Sequence, residues 1–154
     1  MPGSQYVGKA GHLAVMGELS LRGYNVALPE IDKGDDIFAV NDTTGAMWRL
    51  QVKTSSARVQ AQSNAYQFRI RESAIQTPQT PELHFIFVMR QNDRWRFLVR
   101  DRSVLRNYVI NNNLGTAANA FRQISITLHN DGRAICSGTD LRNHLEDWVT
   151  WPVI

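Results

Sequence analysis

The sequence holds a single cysteine, Cys136, in 154 residues. No disulfide can form within the chain and no cysteine pair can grip a metal, which suits a reducing compartment. Cys136 reads as a small buried apolar side chain. Long apolar runs are also missing. Nothing approaches the roughly 18 consecutive apolar residues that span a bilayer. The longest run with β character, Phe85-Ile86-Phe87-Val88-Met89, fits a buried strand. The first eleven residues are small and polar, without the apolar centre of a secretory signal. These absences predict a soluble, cytoplasmic protein with no membrane partner. There is no internal repeat and no low-complexity linker, so one domain over residues 1–154 is expected. At 43% hydrophobic residues, such a domain has a real core.

Lysine is scarce as well: 14 of the 17 basic residues are arginine. Arginine forks match phosphate geometry better than a lysine ammonium does. The net charge is only +3, but it is unevenly placed. Residues 1–48 carry three basic and six acidic side chains; residues 49–133 carry thirteen and five; residues 134–154 carry one and three. A basic middle beside an acidic start points to a polyanion partner. A solvated arginine face explains the same numbers equally well.

Periodicity places a helix from about Lys9 to Arg22, with Ala10, Leu13, Ala14, Gly17 and Leu21 on one face. Small residues on that face would permit close approach to a sheet. Gly23 is its stop signal. Strands are expected at Tyr24–Leu28, Asp36–Asn41, Met47–Thr54, Ala65–Ile70, His84–Arg90, Trp95–Val99 and Ile124–Leu128. Turns fall at Asp42–Gly45 and Asn92-Asp93, and a loop at Thr77–Pro81. Helices are expected at Ser103–Ile110, capped by Ser103, near Thr116–Phe121, and from Thr139 to Trp148. This order predicts an α/β (α+β) domain with a mostly antiparallel or mixed sheet.

Chemistry concentrates in the hairpin of Asp36–Asn41 and Met47–Thr54. Alternate side chains of a strand share a face. Met47, Arg49, Gln51 and Lys53 therefore point one way, and Trp48, Leu50, Val52 and Thr54 the other. If the turn closes symmetrically about Thr43-Thr44, Asn41 faces Ala46 and Asp36 faces Gln51. Directly opposed side chains have Cβ atoms about 5 Å apart. A bulge at Gly45 would shift this register by one. Asp36 is a hard oxygen ligand for Mg²⁺, as is an amide oxygen or a backbone carbonyl. Lys53 would stabilise charge on phosphate oxygens. A half-exposed hairpin whose Asp and Lys merely pair fits the pattern too.

The run Gly34-Asp35-Asp36-Ile37-Phe38-Ala39-Val40, followed by Leu50-Gln51-Val52-Lys53-Thr54, resembles the PD-(D/E)XK nuclease superfamily signature. The helix ending Leu21-Arg22-Gly23-Tyr24 resembles that superfamily's opening helix. The likeness covers about residues 8–56. It is strongest to archaeal Holliday-junction resolvases and to small members with glutamine in the third motif, including some intron-encoded homing endonucleases. It implies a restriction-endonuclease-like core, a central mixed sheet flanked by helices. It also implies Mg²⁺- or Mn²⁺-dependent cleavage of branched or specific-site DNA. On this resemblance Asp36 is the metal-binding aspartate, Gln51 stands where most members have Asp or Glu, and Lys53 is the catalytic lysine. The Val52 carbonyl would be a further metal ligand. A homodimer or higher homo-oligomer is implied as well.

His12 stands where the superfamily often has a glutamate. Either it takes over part of that role, for example by holding a water, or the site is weakened and only binds nucleic acid or a protein partner. Glu18 lies on the same helix and is the other carboxylate for the site; its spacing to Arg22 also fits a helical ion pair. Arg94, Arg96 and Arg100 could share a strand face and contact DNA, as could Arg58. Trp95, Trp148 and Trp151 read as packing residues. His84, His129 and His144 lack ligand-like spacing.

Overall fold

The computed structural model describes residues 3–31 and 33–148. Trp151 lies outside them. The chain order is helix α1 (Ser4–Leu21), strands β1 (Asn25–Ala27), β2 (Ile37–Val40), β3 (Met47–Ser55), β4 (Arg58–Val59) and β5 (Ser63–Arg71). Then come helix α2 (Glu72–Gln76), strands β6 (Leu83–Gln91) and β7 (Arg94–Asp101), and helix α3 (Arg102–Asn112). Strands β8 (Thr116–Ala118), β9 (Phe121–His129), β10 (Ala134–Cys136) and β11 (Thr139–Asp140) precede a 3-10 turn at Arg142–His144.

The fold is α+β with a mixed central sheet flanked by helices, ordered β1-β2-β3-β6-β7. Only β3 and β6 run parallel in it. A second, antiparallel sheet, ordered β11-β10-β9-β5-β4 with β8 paired to β9, was not anticipated. Among the described residues no helix is long and apolar enough to cross a membrane.

Two apolar clusters sandwich the central sheet. On one face Trp48, Leu50, Val52, Ile86, Val88 and Val99 meet Val15 and Leu19 of α1. On the other, Phe85, Phe87, Met89 and Leu98 meet Tyr66, Phe68 and Ile70 of β5 and Ile124, Ile126 and Leu128 of β9. Strand β6 is therefore buried on both faces, as its unbroken apolar run requires. Cys136 belongs to the second cluster, and burial raises its thiol pKa.

Helix α1 buries a different stripe from the one expected. Gly11, Val15 and Leu19, four apart, face the sheet. Leu13 and Leu21 are 57% and 87% exposed. The helix is apolar nearly all round, so periodicity could not rank its faces. Close approach ranks them: a Cβ at Gly11 would sit 1.8 Å from Thr54 Oγ1. Only glycine fits there.

The hairpin keeps the expected register, with Ile37 opposite Leu50 and Val40 opposite Met47. Gly45, at φ +71°, closes the turn without a shift. Asn41 Oδ1 accepts from the Thr43 and Thr44 N–H groups, and Asn41 N donates to Ala46 O at 2.9 Å. Asn92 and Asp93 both take positive φ, a two-residue turn whose twist suits β6 and β7.

Three expectations fail. Thr116–Phe121 is not helical: β8 turns through Asn119, at φ +55°, onto β9, with Ala118 opposite Phe121. Thr139–Trp148 is a short strand and a 3-10 turn, and Glu146 at φ +54° ends any helix. The cap of α3 is Asp101, whose carboxylate accepts from Val104 N at 2.9 Å, with Ser103 donating to it.

The C-terminal turn is docked by polar contacts. Arg100 Nε donates to His144 Nδ1 and Tyr108 Oη lies 2.7 Å from His144 Nε2. Burial holds the His144 pKa below its ordinary value, aided by the Arg100 charge. Burial also lowers His84, against the pull of the Glu82 carbonyl and nearby carboxylates.

Two outcomes are expected. Gly11→Ala should lower stability by about 1–3 kcal/mol in urea denaturation, the cost of forcing a methyl into a filled contact. Both histidines protonate less readily in the fold than in the unfolded chain, where the ordinary value is 6.5. Stability should therefore be full above that pH and fall below it, by at most about 1.4 kcal/mol per pH unit for each histidine. Denaturation at pH 7.5 and 5.5 measures the drop; equal midpoints would refute it.

Candidate active site

Strand β2 begins only at Ile37, opposite Leu50, so β3 beyond Leu50 has no β2 residue beside it. Asp36 N still donates to Leu50 O at 2.7 Å. Its carboxylate then takes the next ladder position, with Oδ2 accepting from Val52 N at 2.7 Å. In an extended strand the N–H and C=O of one residue point to the same flank. The Val52 carbonyl therefore faces the flank occupied by Asp36.

Gln51 is buried, at 7% exposure. Its Nε2 donates to Gly34 O at 2.7 Å, which fixes the amide plane. The remaining amide oxygen, Oε1, is buried with no hydrogen-bond partner. Leaving such an acceptor unpaired costs about 1–3 kcal/mol, so it needs a donor or cation from outside the chain. Asp35, also buried, is taken up by Arg49, which shares the strand face of Gln51. Its Oδ2 lies 3.2 Å from Arg49 Nη2, and Arg49 Nη1 donates to Gln79.

A cleft of about 560 Å³ opens here. Asp36, Gln51 and Lys53 line it together, as the hairpin register predicts. Among the described residues that line it, Asp36 is the only carboxylate. Among the described residues no carboxylate lies within ion-pair distance of Lys53, so the two do not simply neutralise each other. His12 projects from α1 with Nε2 4.0 Å from Asp36 Oδ2. Gly11, one residue earlier, sets that approach through its contact with Thr54.

Glu18 does not join them. Its carboxylate is held by Arg22, at 2.7 and 3.1 Å, and it does not line the cleft. Six residues of helix separate it from His12, about 9 Å along the axis. Arg94, Arg96 and Arg100 do share a face of β7, but two are occupied internally. Arg96 Nε lies 2.9 Å from Glu146 Oε1, and Arg100 pairs with Asp147. Those pairs bind the C-terminal turn to β7. Arg94 and Arg58 are exposed but do not line the cleft.

The sequence reading missed Lys33, Arg69 and Arg71, which complete the cleft. The signal was present. In Tyr66-Gln67-Phe68-Arg69-Ile70-Arg71 every second side chain is buried and the rest are exposed. The sequence pattern gives a strand at Ala65–Ile70, and its alternation also sets Arg69 and Arg71 on one face. Its basic face matters because it brings two arginines to a site whose other wall is the hairpin.

The donor set is small. Among the described residues no three His, Cys, Asp or Glu side chains cluster closely enough to hold a metal ion. A hard divalent cation would draw instead on one carboxylate, one orphaned amide oxygen and one backbone carbonyl, all oxygen donors of the kind Mg²⁺ prefers.

Comparison with known proteins places this geometry in a fold. No protein-family model matches the chain, and no curated protein does. Among solved structures it is similar to a bacterial homing endonuclease, I-Ssp6803I, with a TM-score of 0.53 and 16% identity over 81% of this chain and 75% of that chain. The chain thus shares the fold of an endonuclease: a mixed sheet with the Asp36–Val52 hairpin at its centre and helices on its flanks.

Proposed function

We propose that this protein is a metal-dependent DNA endonuclease acting through Asp36, Gln51 and Lys53. One observation carries the reading: Gly34 pins the Gln51 amide so that Oε1 is buried and unsatisfied beside Asp36. Asp36, Gln51 Oε1 and the Val52 carbonyl would hold Mg²⁺ or Mn²⁺. Such an ion, when bound, polarises a phosphodiester and lowers the pKa of water. Lys53 supplies positive charge where phosphate oxygens gain negative charge in the transition state. His12 does not line the cleft, but its Nε2 is 4.0 Å from Asp36 Oδ2, and it would hold the attacking water by a hydrogen bond. The fold shared with a homing endonuclease supports the same class of reaction.

Among the described residues one carboxylate, Asp36, lines the cleft, and this favours a second reading, a nuclease fold that binds DNA and cuts it poorly or not at all. One assay separates the two. Linear, nicked and four-way-junction DNA are incubated with the protein and Mg²⁺ or Mn²⁺, beside Asp36→Asn and Lys53→Ala. Asp36→Asn keeps an oxygen for Val52 N but removes the charge. Each variant should lower cleavage at least about 100-fold, the usual cost of removing one such electrostatic contact. Salt-sensitive binding without wild-type cleavage selects the second reading, and undiminished cleavage in both variants sinks the assigned site. The comparison of branched with site-specific DNA names the substrate form.

Cutting both strands with one such site per chain calls for two copies, so a homodimer or larger assembly is expected. Light scattering after size-exclusion chromatography should give at least twice the chain mass; a clean monomer at micromolar concentration would refute it.

A further inference from the structure

Arginines in this chain are mostly spoken for. Nine of them pair with carboxylates among the described residues. Arg69 and Arg71 do not. Their contacts are with one ring: the Arg69 guanidinium carbon sits 3.8 Å from the Phe121 centroid and that of Arg71 5.3 Å away. The register explains this. Arg71 is directly opposite Phe121 across β5 and β9, and Arg69 is the diagonal neighbour. One ring thus gathers two planar cations, and among the described residues neither pairs with a carboxylate. Like charges gathered on one ring repel, and nothing in the packing of β5 requires them, since its apolar face is made by Tyr66, Phe68 and Ile70. Two guanidinium forks resting on one ring suit an anion with several oxygens.

The two arginines line the same cleft as Asp36, Gln51 and Lys53. We infer that Arg69 and Arg71, stacked on Phe121, form a phosphate subsite that grips the DNA backbone next to the bond being cut, so that the strand passes between β3 and β5. The inference rests on DNA being the ligand of this cleft, as proposed above. It differs in what it assigns: the hairpin performs the chemistry, and the second sheet supplies the grip. Held on a ring, each fork loses little conformational freedom when it meets a phosphate.

The test measures binding apart from cleavage. Fluorescein-labelled single-stranded and duplex DNA are titrated with protein in EDTA, at salt from about 50 to 200 mM, and read by anisotropy. Arg69→Gln/Arg71→Gln should weaken binding at least tenfold. It should also flatten the salt dependence by about one to two units of log–log slope, since each lost phosphate contact removes roughly 0.7–0.9. Arg133→Gln, an exposed arginine paired with Asp131, should leave both unchanged. Arg69→Lys/Arg71→Lys keeps the charge without the forks, so it should restore the slope but only part of the affinity. It also serves if the glutamine pair fails to fold. Wild-type binding that the glutamine pair leaves intact overturns the subsite while sparing the nuclease reading. Weakened binding in a protein that never cuts leaves the subsite standing and removes the nuclease reading. No DNA binding by the wild type at low salt overturns both.

Discussion

A carboxylate standing in for a strand carbonyl organises this site. Strand β2 stops short, and Val52 N–H would face an empty ladder position. Asp36 fills it with Oδ2 at 2.7 Å. The same loop is stitched to β3 at each of three consecutive residues. Gly34 O takes the Gln51 amide, Asp35 pairs with Arg49, and Asp36 meets Val52. Each bond is short-range and none needs a neighbouring helix. The loop is therefore fixed by the strand that carries the other two polar groups, and their mutual placement follows from backbone geometry. A charge-assisted hydrogen bond to the backbone is also stronger than a neutral one, which suits a residue whose position must not drift.

The arginines divide into two populations with different physical roles. Most are struts. Arg102 pairs with Glu82 and donates to Ile75 O, and Arg122 pairs with Glu72 and donates to Leu114 O. Both tie irregular segments to regular elements. Arg96 and Arg100 do the same for the C-terminal turn. The cleft arginines lack such partners. A basic middle section in the composition therefore says little by itself, because most of that charge is neutralised on folding. Among the described residues, what remains lining the cleft is a small cationic surface around one carboxylate, Asp36.

How far the sequence could be read depends on which interactions are local. The hairpin register was legible because turn length and alternation determine it, and both lie within 15 residues. The buried strand β6 was legible from its apolar run. The stripe on α1 was not, because the helix is apolar all round and a single glycine contact 43 residues away in sequence decides its rotation. The second sheet was illegible for a similar reason: β5 and β9 pair residues 50 to 66 apart in sequence, and nothing in either strand names its partner. The segments after residue 115 were misread because alanine favours helix in isolation, while left-handed residues at Asn119 and Glu146 impose turns. Arg69 and Arg71 could be seen as exposed but not as neighbours of Lys53, a fact of tertiary packing. Glu18 and Arg22 illustrate the reverse, a helical spacing that the structure bears out as an ion pair.

The parallel pairing of β3 with β6 has a wider consequence. Two parallel strands cannot be joined by a tight turn; they need a long connection. Here residues 56–82 provide it, and they carry β4, β5 and α2. The connection's ends are fixed by the sheet, but its contents are not. It also supplies Arg69, Arg71, Ser73, Ala74, Thr77 and Gln79 to the cleft. Heritable change in this one crossover can thus reshape what the cleft accepts while the hairpin stays untouched. The architecture builds the cleft from two separable pieces, a hairpin and a crossover, and a designer could exchange the crossover wall without redesigning the hairpin.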